Sequence, residues 1–341
     1  MSAQHKIGRQ TAKIEDVKII SSAAIVGKKE GEGPLSDSFD IVLPDNEWNE
    51  KTWEKTESKL QREAVKLAAK KINLDLEDID RVFSGDLLNQ CISAGYGLRE
   101  LSIPFFGIYG ACSTMIEGIS LASMLLCGGF AERAAAVTSS HFCTAERQYR
   151  FPLEYGSQRP PTAQWTVTGA GSAVVTADER LPTLCRATHV TLGRIVDMDI
   201  KDANNMGAAM APAAADTLRR HMEDTARTPA DYDLIITGDL GRVGHDLLVT
   251  LLQERGMPLN TDKYIDCGLE IFSPTQDTHA GGSGCGCSAV TLCGHIMRRF
   301  REGELRRVLF MATGALLSTT SSQQGDTIPG VAHAIVLEAD S

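Results

Sequence analysis

The chain has 341 residues, 43% hydrophobic and 23% charged, with a formal net charge of −10. That length supports a large core in two domains or one duplicated unit, and the acidic balance without a Lys/Arg block disfavours nucleic acid and anionic lipid as partners. Residues 1–10 contain no apolar signal core, and no run approaches the roughly 18 apolar residues of a membrane span, so neither a secretory leader nor a spanning helix is expected.

Nine cysteines, an odd number without a disulfide-like framework, suit a reducing compartment. Cys285, Cys287, Cys293 and His295 are crowded enough to suggest a metal site. They contain no C-x-x-C pair, however, and Cys293 and His295, two apart on a helix, point to different faces. No metal site is expected.

In chain order, Val17–Ile20 and Ser21–Val26 predict a strand, followed by a charged Gly/Pro loop over Lys28–Ser38. Trp48–Lys71 predicts an amphipathic helix with Trp53, Leu60, Ala64, Leu67 and Ala68 on one side. Asp78–Leu87 reads as a strand closed by a Gly-Asp turn. Ile103–Tyr109 is an apolar run bounded by glycine and predicts a buried strand. After it, Ile116, Ile119, Leu121, Ala122, Met124, Leu125 and Leu126 recur at helical spacing and stop at Gly128-Gly129. Cys112 therefore falls where a strand turns sharply into a helix, with its sulfur near the first-turn N–H groups, a place that favours a thiolate or a bound anion. A buried structural cysteine is the alternative.

Gly169–Val175 and Thr183–Leu192 read as a strand pair closing a first half, Asn205–Arg220 as a helix opened by Gly207 and Pro212, and Gly330–Glu338 as a final strand. The pattern Asp78–Leu87 returns at Asp231–Leu240 with the same terminal Gly-Asp-Leu, and Gly129–Thr138 is echoed by Gly303–Ala312. The second echo sets Gly284-Cys285-Gly286-Cys287 opposite Gly110-Ala111-Cys112-Ser113. Repetition of whole strand–helix units predicts a duplicated α/β layered fold with two mixed, largely parallel sheets. The expected halves are 1–190, carrying the Cys112 elbow, and 191–341.

A two-fold α/β duplication with a cysteine at its first elbow resembles the thiolase and ketoacyl synthase superfamily. The likeness narrows with particular strings: Gly85-Asp86-Leu87-Leu88-Asn89-Gln90, Gly110-Ala111-Cys112-Ser113-Thr114, Thr138-Ser139-Ser140-His141 and Thr144-Ala145-Glu146-Arg147-Gln148. It continues at Pro152, Glu154-Tyr155-Gly156, Met210–Thr217 and Ala280-Gly281-Gly282-Ser283-Gly284-Cys285. Together these resemble the stage V sporulation protein AD (SpoVAD) family, from about Gly8 to Glu338. The resemblance implies a thiolase-like αβαβα fold without known condensing activity. It also implies binding of dipicolinic acid (pyridine-2,6-dicarboxylate) and work with the membrane-embedded SpoVA proteins, which hold the protein at the spore inner membrane. A homodimer is expected by the same analogy.

The residues themselves argue for a binder over an enzyme. Acyl transfer needs a nucleophile, a base and oxyanion donors. Cys112 is present, but Gly238-Asp239 stands where the ketoacyl-synthase-III pattern has a histidine, and the later Gly-rich loop supplies no asparagine. His279 is the one imidazole placed to replace it, and condensation by Cys112 and His279 is the rival reading. A dicarboxylate binder asks for an aromatic-sized slot, N–H donors and a cation. The expected ligand-binding set is Cys112 with its helix N-terminus, Asp86 and Asn89 at the end of one strand, His141 at the end of another, Arg147 and Arg150 beyond it, and the Gly282-Ser283 loop. Each has a structural alternative: a hydrogen-bonded core imidazole for His141, ion pairs to Glu146 or Glu154 for the arginines, a tight packing turn for the Gly loop, and a backbone-orienting role for Asp86. Asp86 would repel a free dianion, so its place near the pocket makes sense if calcium accompanies the ligand or if Asp86 orients His141 or a backbone turn; no resident cofactor is expected.

Overall fold

The computed structural model describes residues 5–149 and 158–340. Its frame is ten strands that fall into two sets of five. The first set is β1 (Lys18–Val26), β2 (Arg81–Gly85), β3 (Phe105–Gly107), β4 (Arg133–Ser140) and β5 (Gly169–Thr176). The second is β6 (Cys185–Leu192), β7 (Leu234–Thr237), β8 (Tyr264–Asp266), β9 (Arg307–Ala315) and β10 (Gly330–Glu338). Hydrogen bonding orders them β3-β2-β4-β5-β1 and β8-β7-β9-β10-β6. Strand for strand, the second sheet repeats the first.

Each sheet is mixed in the same way. β2 pairs parallel with β3 and β4, as β7 does with β8 and β9, while β4-β5-β1 and β9-β10-β6 are antiparallel. The sheets join edge to edge through only two antiparallel pairs, Lys18↔Arg186 and Ile19↔Cys185. β6, which the sequence suggests as the strand closing the first half, thus holds in the second sheet the place that β1 holds in the first.

Helices complete the layers. α1 (Trp53–Lys70) covers the outer face of the first sheet, and α4 (Met206–Thr225) and α5 (Gly241–Glu254) cover that of the second. Between the sheets lie α2 (Thr114–Cys127) and α6, which begins at Cys285–Val290 and runs through a π-helical turn, Thr291–Ile296, into Met297–Arg301. Met115, Ile116 and Ile119 of α2 share a fully buried cluster with Val290, Leu292 and Ile296 of α6 and with Phe310 and Ile335 of the second sheet. Burial of these apolar side chains, at about 25 cal/mol per Å2 removed from water, helps hold the halves together. Among the described residues no helix is long and apolar enough to cross a membrane.

Two expectations for local structure shift. α1 starts at Trp53 and not at Trp48, because Trp48 and Asn49 adopt positive φ (44° and 61°), and Thr52 caps the helix by accepting the Lys55 N–H. The run Ile103–Tyr109 forms only the three-residue β3, and it is an exposed edge: Phe105 and Phe106 are 43% and 45% exposed. Its hydrophobicity signals an unpaired edge and not a buried strand. α2 behaves as read, ending at Cys127 with Gly129 at φ +73°.

Candidate functional site

The elbow between β3 and α2 is tight. Ala111 takes φ +50°, a left-handed conformation costing a non-glycine residue about 1–3 kcal/mol. The turn is locked by its own polar groups: the Ser113 hydroxyl donates to Gly110 O at 2.6 Å, the Thr114 hydroxyl to Ala111 O at 2.6 Å, and the Gly110 N–H to Thr114 Oγ1 at 3.1 Å. It seats against the second half at Gly314 of β9, where a Cβ would come within 2.3 Å of Gly110 O. The N–H groups of Ser113 and Thr114 donate to Gly110 O and Ala111 O, so these two are spent inside the turn and do not face a ligand.

Cys112 ends up between the halves, against Leu87 and Cys285, and is 5% exposed. Its decisive neighbour is Asp239, at the end of β7, in the position that Asp86 holds at the end of β2. The Asp239 carboxylate accepts from the Gly284 N–H at 2.9 Å, the Thr313 hydroxyl at 3.0 Å and the Ser283 hydroxyl at 3.3 Å, and it meets the Cys112 thiol. Burial raises the Asp239 pKa to about 7 despite these bonds. Burial, and then the Asp239 charge, push the Cys112 thiol well above its ordinary value. The sulfur is therefore held as a thiol at neutral pH, the reverse of what the elbow position alone suggests.

Beside Cys112 opens a cavity of about 600 Å3 between the halves, a usual size for a small-molecule site. Tyr109, Ala111, Cys112 and Tyr149 line it from the first half, with Asn204, Ser283, Ala315 and Gln323 from the second. Gln164 spans the back, donating to Asp239 O at 2.8 Å and Gly282 O at 2.7 Å. Glu146 also lines the cavity, and the described lining contains no lysine, arginine or histidine.

Of the expected ligand-binding residues, Cys112 and Ser283 line this cavity. Asn89 lines an adjoining cleft, its backbone N–H donating to Gln148 Oε1 at 3.0 Å. The others stand elsewhere. Asp86 is fully buried and accepts the N–H groups of Leu88 and Ala94 at 2.8 and 2.7 Å, fixing the turn after β2; burial raises its pKa to about 6. His141 is a core imidazole: its Nε2–H donates to Asn46 O at 2.9 Å, its Nδ1 accepts from the Cys143 N–H at 3.1 Å, and burial lowers its pKa to about 4, so it offers no positive charge. Arg147 pairs with Glu54 and lies over the Trp53 ring, away from the cavity. Gly282 is buried, bridged to Trp165 in a two-residue parallel pair. Arg150 lies outside the described residues, as do Pro152 and Glu154-Tyr155-Gly156. His279, the base of the rival reading, is placed by Pro160 O at 2.8 Å and by Asp277 at 3.3 Å and does not line the cavity.

Sequence reasoning left out Asp239 as a site residue, and with it Tyr109, Tyr149 and Gln164. For Asp239 the signal was present, since the repeat sets it opposite Asp86 at a strand's carboxyl end. The tyrosines and Gln164 carry no motif, and their convergence follows only from the packing of the two halves.

The chain matches the family described as Stage V sporulation protein AD (SpoVAD) over residues 8–338. It is 49% identical over 332 residues to the Stage V sporulation protein AD of Bacillus subtilis (strain 168), covering 97% of each chain. In structure it is similar to 3-oxoacyl-[acyl-carrier-protein] synthase III from Aquifex aeolicus VF5, with a TM-score of 0.58, 16% identity and coverage of 94% of this chain and 99% of that one. It is likewise similar to an OleA variant of Xanthomonas campestris, with a TM-score of 0.62, 14% identity and coverage of 96% and 99%. Both likenesses concern the fold.

Proposed function

Because the chain belongs to the stage V sporulation protein AD family, we propose that this sporulation protein uses its condensing-enzyme fold to bind a ligand without transforming it. The proposed ligand is dipicolinic acid, held in the cavity beside Cys112. The observation that carries this reading is the pairing of Cys112 with Asp239. A condensing site needs a base that takes a proton from sulfur and leaves a cation beside the thiolate. Asp239 supplies a carboxylate instead, and its negative charge disfavours the thiolate. Hydroxyls and carboxamides of the lining can still grip a planar diacid by hydrogen bonds.

The ligand's own charge is the remaining demand. Calcium carried by the diacid would offset that charge. In the cell, the proposed role is to pass dipicolinic acid to or from the membrane-embedded SpoVA proteins at the spore inner membrane. Calorimetric titration of the full chain with dipicolinate, with and without calcium, tests the binding: saturable heat at one site is expected, and no heat in either titration refutes it. Intact-mass measurement after incubation with acyl-CoA tests the other half. Unchanged mass is expected, and an acyl group on Cys112 restores the enzyme reading.

A further inference from the structure

The 600 Å3 cavity does not end in bulk packing. On its first-half side it abuts a second cleft of about 320 Å3, and Leu87, Tyr109, Gln148, Tyr149, Leu317 and Thr319 line both. The largest groups in that common wall are two phenol rings. Tyr149 is the last residue of α3 (Phe142–Tyr149), and its hydroxyl donates to Leu87 O at 2.7 Å. Its neighbour Gln148 clamps the same turn twice, donating to Leu87 O at 2.9 Å and accepting from the Asn89 N–H at 3.0 Å. Tyr109, from the elbow, brings its phenol against that of Tyr149. Two rings from different elements thus stand between the two spaces, and one is tied to the backbone carbonyl of Leu87.

We propose that the Tyr109–Tyr149 pair is a partition between the cavity and the cleft, turning away ligands long enough to reach across it from the Cys112 side. The physical reason is steric. The Tyr149 side chain, held at its backbone and at its hydroxyl, cannot swing aside without breaking its hydrogen bond to Leu87 O, so a longer ligand meets a wall. With either ring removed, the cavity and the cleft join, and a ligand with a second ring gains a place to put it. Asn89 then lies at the far end of that extended space, which gives the turn after β2 a role in ligand size even though it does not reach Cys112.

This inference rests on the dipicolinate reading for its ligand but not for its geometry. Calorimetry compares dipicolinate with a derivative bearing a phenyl group on the ring carbon opposite nitrogen, on the full chain and on Tyr149→Ala and Tyr109→Ala. The second variant leaves the Leu87 tether intact, so a fold defect in one does not stand in for both. The wild type is expected to bind the parent more tightly than the phenyl derivative, and each folded variant to gain at least about tenfold for the derivative, the scale of steric discrimination in an apolar pocket. Equal binding of both ligands by the wild type, or the wild-type preference retained in both variants, overturns the partition. If the wild type binds neither ligand, the dipicolinate reading fails alone, and alkylation of Cys112 by N-methylmaleimide and N-phenylmaleimide, followed by peptide mass at alkaline pH, decides the partition. The preference for the smaller reagent must then narrow in the variants; an unchanged preference, or no Cys112 adduct in either variant, overturns it.

Discussion

Cys112 and Asp239 stand where a condensing enzyme would pair sulfur with imidazole, and the carboxylate disfavours the thiolate. A carboxylate beside a buried thiol raises the thiol's pKa, and the thiol in turn stabilises the carboxylate. Removing the charge should release the sulfur. Asp239→Asn is expected to speed alkylation of Cys112 at neutral pH by about tenfold, the equivalent of one unit of pKa, read by peptide mass. A rate equal to that of the wild type would show that burial alone, and not Asp239, holds the proton. At this scale the sequence was half legible. Cys112 announces itself by lying between an apolar run and a helix, and Ser283 by its glycine-rich loop. His141 and Arg147 read as well for binding as for structure. What separates the two is whether a neighbouring group, Asn46 O or Glu54, has already claimed the side chain, and those partners are distant in sequence.

Among the elements, α1 and β4 enclose an unusual amount of buried polarity behind the site. Glu57 accepts the hydroxyls of Ser139 and Thr144 at 3.1 and 2.7 Å, Gln61 donates to Ser139 Oγ at 2.8 Å, and the Ser84 hydroxyl donates to Gln61 Oε1. Burial first, and then the Asp86 charge, raise the Glu57 pKa to about 8 from an ordinary 4.5. A carboxyl whose folded pKa is raised keeps its proton longer in the native state than in the unfolded chain. Its contribution is full below the ordinary value and is lost as pH rises towards 8. The unfolding midpoint of the wild type should therefore fall relative to that of Glu57→Gln across this window; parallel curves would contradict the assignment. The middle layer gives a simpler expectation. Ile119 of α2 is fully buried between the sheets, so Ile119→Ala should cost about 2–5 kcal/mol in denaturant unfolding. A loss within the error of the measurement would mean that the halves do not depend on this layer. α2 was readable because its apolar period is long and ends in Gly-Gly. β3 was not, because an apolar run of that length looks the same on a bare edge as in a buried strand.

For the whole molecule, duplication is the fact that organises the rest, and it could be read from two short echoes because each falls at a strand that both sheets share, β2 with β7 and β4 with β9. The joining of the sheets through β1 and β6 could not, since two residue pairs leave no pattern. Duplication also supplies an internal control. β3 and β8 occupy matching edges, yet Tyr264 and Asp266 of β8 are buried while every residue of β3 is exposed. An uncovered edge with two exposed phenylalanines and no charge is a pairing surface, and we propose a second copy of the chain as its partner. Light scattering should then give a dimer that Phe105→Lys converts to a monomer. A monomeric wild type would remove the proposal.

On the proposed function, the space beside Cys112 receives dipicolinate and leaves it chemically unchanged. The most direct test is a crystal structure of the full chain soaked with dipicolinate and calcium. Density is expected for a planar diacid in the cavity bounded by Cys112, Ser283 and Tyr149, separated from Sγ by a non-bonded gap. A cavity still empty at saturating ligand, or density continuous with the sulfur, would contradict it.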